Sequence, residues 1–198
     1  MNVCIAARET NGDDPEMINV LTEATPNPAT LKFLPGRPVM ETGPANYASA
    51  AMATGAPLAR RLFGIDGVKG VFFGSDFISV AKAEAADWQD LEAVVAQGIA
   101  AHFAAGEPVV IVPEEPGAVM EDDDEVVGQI KELLDTRVRP VVAQDGGDIT
   151  FQGFDKGIVY LNMVGACAGC PASTQTLKHG VENMLKHFVP EIEEVRAV

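Results

Sequence analysis

Two of the three cysteines in this chain stand together, in Cys167-Ala168-Gly169-Cys170-Pro171. Thiolates separated by two residues can point at one metal centre, because the short Ala-Gly turn folds the chain back on itself. Two sulfurs do not complete a tetrahedral zinc site or hold a whole iron–sulfur cluster, each of which takes four ligands. The missing ligands must come from elsewhere in the chain or from a second copy of it.

The residues around the pair indicate how it is held. Pro171 suits the first position of a helix, where its missing N–H costs nothing. Cys170 would then lie near the N-cap, beside unpaired backbone donors and the positive end of the helix dipole, both of which favour thiolate over thiol. Gly165 and Gly169 permit tight curvature, and Val164, Ala166 and Ala168 leave the surroundings small and apolar, so another subunit could approach closely. Four chemistries compete for such a pair. The cysteines could fill space or form an incidental disulfide, but a Gly-rich loop offers little core to fill. A dithiol–disulfide oxidoreductase would use the same pair; here a β-hairpin precedes the motif and Pro171 lies outside the pair, which counts against it. Zinc needs two further ligands, and His179 and His187 on the following helix read as ordinary solvated residues. Two chains in symmetric contact would bring together the four sulfurs of a [4Fe–4S] or [2Fe–2S] cluster. A cluster so placed has few protein bonds to break, which favours a carrier over a permanent electron-transfer centre.

The elements that must position this loop are legible behind it. Val126, Ile130, Leu133, Leu134 and Val138 recur at helical spacing, with Pro140 expected to close that helix. Asp145-Gly146-Gly147-Asp148 marks a turn. Ile149 to Gly153 and Ile158 to Val164 predict strands joined at Asp155-Lys156-Gly157. Leu177, Val181, Leu185 and Phe188 mark an amphipathic helix that Pro190 ends, and Ile192 to Val198 predicts a third strand. Ahead of these, strands are expected at Asn19–Thr22, Thr30–Phe33, Val68–Phe73, Phe77–Ala81 and Val109–Val112, with helices at Leu58–Phe63 and Asp87–Ala105. In the second helix Trp88, Leu91, Val95, Ile99 and Phe103 share a face, Asp87 is its N-cap, and Trp88 reads as a core anchor. His102 stands alone on that helix. Pro26-Asn27-Pro28 rigidifies a loop without further chemistry of its own. No catalytic arrangement is evident.

The chain has 198 residues and a net charge of −15. Seven acids and no base fall within residues 113 to 125, with Pro113, Pro116 and Gly117, as in a solvated linker held extended by self-repulsion. The expected organisation is therefore an N-terminal tail (1–16), a front domain (17–112), an acidic linker (113–125) and a rear domain (126–198). The fold class is α+β: two small domains, the rear one in the order helix, strand, strand, CxxC loop, helix, strand. Nucleic acid is disfavoured as a partner, because no basic stripe exists to neutralise phosphates. A membrane is also disfavoured, since no apolar run approaches the ~18–20 residues that span a bilayer. The first fifteen residues combine Arg8 with Glu9, Asp13 and Asp14, the pattern of neither a secretory signal nor a transit peptide. A reducing cytoplasm is the expected compartment, where paired cysteines bind metal or do redox work more often than they form structural disulfides.

The rear domain resembles the NifU C-terminal (Nfu-type) iron–sulfur scaffold domain. The likeness lies in RPVVAQDGGD (139–148), GACAGCP (165–171), STQTLK (173–178) and VENMLKHFVP (181–190). The front stretch resembles the N-terminal domain of Nfu proteins in TEATPNPATLKFLPGRPV (22–39), in LARRLFGIDGVKGVFFGSDFISVAK (58–82) and in the Trp88 helix. Cys4 falls outside both matches and inherits no role. The resemblance implies a non-enzymatic scaffold or carrier that acts late in iron–sulfur cluster assembly. Cys167 and Cys170 of two subunits would hold a bridging [4Fe–4S] cluster, and the loaded homodimer would pass it to apo-proteins. Upstream assembly proteins would supply the cluster, and the front domain would help to recognise partners. Ala168 and Ala172 depart from the polar residues often found there, which bears on rates or target preference rather than on the ligands.

Overall fold

Along Thr30–Leu34 the side chains of Leu31 and Phe33 point one way and those of Thr30, Lys32 and Leu34 the other, the two-residue period of a strand. The computed structural model, which describes residues 19–41, 43–111, 125–168 and 171–198 (backbone alone over 171–177), builds a sheet on that alternation. The N-terminal tail with Cys4, residues 112–124 of the expected linker and its flank, and Gly169 with Cys170 lie outside the described residues.

The front unit runs β1 (Leu21–Ala24), β2 (Thr30–Leu34), β3 (Ala45–Tyr47), α1 (Pro57–Phe63), β4 (Val68–Phe73), β5 (Ile78–Lys82) and α2 (Trp88–Ala104). Its five strands form an antiparallel sheet in the order β1-β2-β5-β4-β3. Phe33, Val71, Phe73, Ile78 and Val80 project from one face and pack against Leu58, Leu62, Leu91, Val95 and Ile99 of the two helices. Each such side chain, taken fully out of water, contributes ~1.5–3 kcal/mol of transfer free energy. Asp87 caps α2, its carboxylate accepting from the Gln89 N–H at 3.1 Å. The expected strand at Val109–Val112 is not formed over Val109–Ile111: the Ile111 N–H donates to the Gly55 carbonyl at 2.7 Å. One bond to a loop, with no ladder beside it, anchors the segment without making it a strand. The short β3 was not expected from the sequence.

The rear unit contains α3 (Glu125–Leu133), a π turn (Leu134–Val138), α4 (Arg139–Gln144), β6 (Gly147–Asp155), β7 (Ile158–Gly165), α5 (Pro171–Phe188) and β8 (Glu194–Ala197). Pro140 does not close the first helix. The helical path widens at 134–138 and continues to Gln144, and the wider turn accommodates the proline ring and its missing N–H. Ile130, Leu134, Val138 and Val142, four residues apart, are all buried, so one face stays on the sheet across the irregularity. β6 and β7 form an antiparallel hairpin, and β8 adds in parallel to β7. At the hairpin tip Lys156 (φ 49°) and Gly157 (φ 80°) both take the left-handed conformation that a type I′ turn needs. The second core gathers Ile130, Ile149, Val159, Leu161, Val181, Leu185, Val195 and the side chain of Cys167.

Candidate functional site

Cys167 sits where the β6–β7 hairpin ends. The last pair of that ladder is Gly147 opposite Gly165. Gly165, at φ 66°, turns the chain out of the strand, and the Ala168 N–H closes the turn on the Gly165 carbonyl at 3.1 Å. The Ala166 N–H donates to the Gly146 carbonyl at 3.0 Å. Cys167 is 4% exposed. Its Sγ would lie 2.5 Å from a β-carbon at Gly147, which would also meet the Val164 carbonyl at 2.8 Å. Only a glycine lets the strand pass this close beneath the sulfur. The 18-residue helix α5 begins at Pro171 as expected, directing its positive end to the loop. Cys170, the second expected ligand, lies outside the described residues.

The strand beneath the loop is braced by an ion pair. The Arg139 Nε donates to Asp148 Oδ1 at 2.9 Å and its Nη2 to Oδ2 at 2.8 Å, while Nη1 reaches Asp135 Oδ1 at 2.9 Å. The fork matches a carboxylate's two oxygens. The Asp148 hydrogen bond is the largest influence holding the Arg139 guanidinium above its ordinary pKa, so it stays charged. Asp148 is buried beside Gly147, so the brace fixes the backbone on which Cys167 rests. On sequence alone Asp148 reads only as the end of a turn; an arginine nine residues earlier on a helix is the signal that pairs it.

The front unit reaches the same loop. Asn27 Nδ2 donates to the carbonyls on either side of Cys167, that of Ala166 at 3.2 Å and that of Ala168 at 3.4 Å. Its Oδ1 accepts from the Ala29 N–H at 3.0 Å, and Thr25 Oγ1 donates to the Asn27 carbonyl at 2.9 Å. Trp88 is half-buried against Phe33 and donates its indole N–H to the Pro28 carbonyl at 3.1 Å. It therefore anchors the loop that carries Asn27 as well as the core. Pro26-Asn27-Pro28 thus does more than stiffen a loop: it aims a carboxamide. Ser79 Oγ donates to the Gly146 carbonyl at 2.6 Å, and Lys32 Nζ to the Gln144 carbonyl at 3.3 Å.

The histidines take no part in this arrangement. His179 and His187 are exposed on α5. His102 is fully buried in the front unit, with Nε2 3.2 Å from the Pro108 carbonyl, and burial pushes its pKa below the usual value. Among the described residues no three His, Cys, Asp or Glu side chains converge as a metal site. No described helix is long and apolar enough to cross a membrane.

Two family models match the chain: residues 20–106 match "Scaffold protein Nfu/NifU N terminal" and residues 130–196 match "NifU-like domain". A human protein named "NFU1 iron-sulfur cluster scaffold homolog, mitochondrial" is 50% identical over 181 residues, covering 90% of this chain and 71% of that protein. "NifU-like protein 4, mitochondrial" of Arabidopsis thaliana is 44% identical over 203 residues, covering 98% of this chain and 72% of that protein. The solution structure of a NifU-like protein from Saccharomyces cerevisiae aligns with a TM-score of 0.46 at 20% identity, over 58% of this chain and all of that one.

Proposed function

Because the chain belongs to the Nfu/NifU family of iron–sulfur scaffold proteins, we propose that its cargo is a [4Fe–4S] cluster held between two copies by Cys167 and Cys170 of each. The observation that carries this reading is the seat of Cys167 in a glycine-lined turn that leads into the positive end of an 18-residue helix. Cys170, directly before Pro171, would stand at that helix start, where the dipole favours a thiolate. A pair of such thiolates is half of what a cluster takes, so a second chain supplies the rest.

Release follows from the same shortage of ligands. Each Fe–S(Cys) bond is exchanged for one to a recipient thiolate, Cys167 and Cys170 leaving in turn, with no change in oxidation state. The incoming thiol gives up its proton as it binds and the departing thiolate takes one up. The chain is a carrier in this account and not an enzyme. Its recipients are apo-proteins that hold iron–sulfur clusters, and upstream assembly proteins load it. We place it in a reducing cytoplasm on its cysteine usage; the names of the human and Arabidopsis relatives call those proteins mitochondrial.

Anaerobic reconstitution with iron and sulfide, followed by size-exclusion chromatography and iron quantitation, tests the reading. A brown species of dimer mass with about four irons per two chains is expected. Cys167→Ser and Cys170→Ser should each abolish it while leaving the circular dichroism unchanged. A colourless monomer that reduces disulfides would move the assignment to a dithiol oxidoreductase.

A further inference from the structure

The two units meet through a contact of unusual composition. Among the described residues, four hydrogen bonds from Asn27, Lys32 and Ser79 to the rear unit run one way: the front side chains donate, and the carbonyls of Gln144, Gly146, Ala166 and Ala168 accept. These carbonyls belong to the two segments at the paired end of the β6–β7 hairpin, the second of which carries Cys167. The apolar part is small, Phe72 of β4 and Phe77 just before β5 against Val164, with Leu34 and Ala143 beside them. Phe72 also lies over the turn, since a β-carbon on Gly165 would come within 3.0 Å of its ring.

Three features mark this contact as one made to open. The sheet face it covers carries Thr30, Lys32 and Ser79, with Lys32 8% and Ser79 1% exposed, side chains that water would serve equally well. Open clefts of about 270 and 330 Å³ flank it, the first between Met40, Pro44 and Arg139, the second between Asn46, Lys69 and Ala168, so solvent reaches the contact from both sides. Surfaces that part and rejoin are more polar than permanent ones. The contact also lies on the backbone that bears the cluster-binding cysteine, where a second copy would have to approach.

From this placement we propose that the far face of the front sheet is a docking surface for the cysteine loop, closed over it in the cluster-free monomer and vacated when a second chain docks to share a cluster. Asn27 is the central positioning residue, because its Nδ2 holds the carbonyls on both sides of Cys167. Closure and bridging then exclude one another. The fraction of open chain sets the apparent affinity for the second copy, as for any binding-competent state that is only partly populated. The second half of this proposal rests on the scaffold reading; closure itself does not.

The test uses the full chain and the double variant Asn27→Asp/Ser79→Ala. Asp keeps the acceptor for the Ala29 N–H but turns a carboxylate toward two carbonyl oxygens, and Ala leaves the Gly146 carbonyl with one donor fewer. Two or more lost hydrogen bonds should raise the open fraction about tenfold. Acylation of Lys32, whose Nζ the contact covers, by an amine-reactive ester in the cluster-free chain, mapped by peptide mass, should accelerate by that factor, and the radius of gyration should rise in X-ray scattering. Loading with iron and sulfide should reach half-completion at a lower chain concentration than in the parent. Trp88 fluorescence reports whether the front unit has kept its fold; should the double variant lose it, Ser79→Ala and Asn27→Asp singly must shift labelling the same way. Labelling at the parent rate in a folded variant overturns the proposal, and so does a cluster-free parent that already scatters as two separated units. Faster labelling with weaker loading also overturns it, since the front unit would then be holding the loop ready for the cluster. A parent that takes up no iron removes the scaffold reading and the bridging half, while the labelling arm still decides closure.

Discussion

At the scale of the residue, the sharpest constraint falls on Gly147. A side chain there would collide with Cys167 Sγ at 2.5 Å and with backbone at 2.8 Å, so neither neighbour can yield cheaply. Gly147→Ala should cost about 1–3 kcal/mol, as overpacking of a filled site does, and should lower iron uptake by displacing the sulfur. Gly180→Ala is the matched control: nothing lies within 4 Å of that position on α5, so removing a helical glycine should stabilise by about 0.5–1 kcal/mol. Urea denaturation of both variants, with iron counted per chain after reconstitution, reads the contrast. The importance of this glycine was only half legible in the sequence. Its turn chemistry was plain, but the sulfur above it is twenty residues away, and only the register of β6 against β7 brings the two together.

At the scale of elements, α4 and β6 are joined by the Arg139–Asp148 fork, which stiffens the approach to the loop. Arg139→Met keeps the aliphatic stem and removes the donors, leaving a buried carboxylate without its counter-charge. The loss should be about 2–3 kcal/mol in chemical denaturation, less than for a fully buried pair because Arg139 is partly exposed. Arg139→Lys should recover only part of it, since an ammonium cannot match two carboxylate oxygens at once. The long elements could be read in advance because their own periodicity defines them: α2, α5 and the β6–β7 hairpin each repeat a pattern over many residues. The short β3 could not, because three residues become a strand only by pairing with β4. The π turn before Pro140 escaped for a related reason. A proline ordinarily ends a helix, and here the apolar residues on one face continue beyond it to Val142.

At the scale of the whole molecule, each unit has its own sheet and core, and the knot of Phe72, Phe77 and Val164 between them is small. The units should therefore unfold separately, as domains with modest contacts do. Trp88 is the only tryptophan and belongs to the front unit, so its fluorescence should follow one transition in guanidinium while far-UV circular dichroism follows two. Coincident curves for both probes would show instead that the contact couples the units strongly. The presence of two units was legible from the change of patterning across the acidic segment. Their mutual contact was not, because its donors, Asn27, Lys32 and Ser79, are ordinary polar residues whose shared target appears only when the sheet is folded.

The direction of those hydrogen bonds has a further consequence. The described hydrogen bonds from Asn27, Lys32 and Ser79 all end on main-chain carbonyls and so carry no code for identity: they cannot tell the loop of their own chain from that of a neighbour. What favours the chain's own loop is covalent connection, which makes the encounter intramolecular at an effective concentration on the order of a millimolar. In dilute solution each molecule therefore closes on itself. Where copies crowd toward that concentration, the closure proposed above predicts that a front unit would cover the loop of a neighbour as readily as its own.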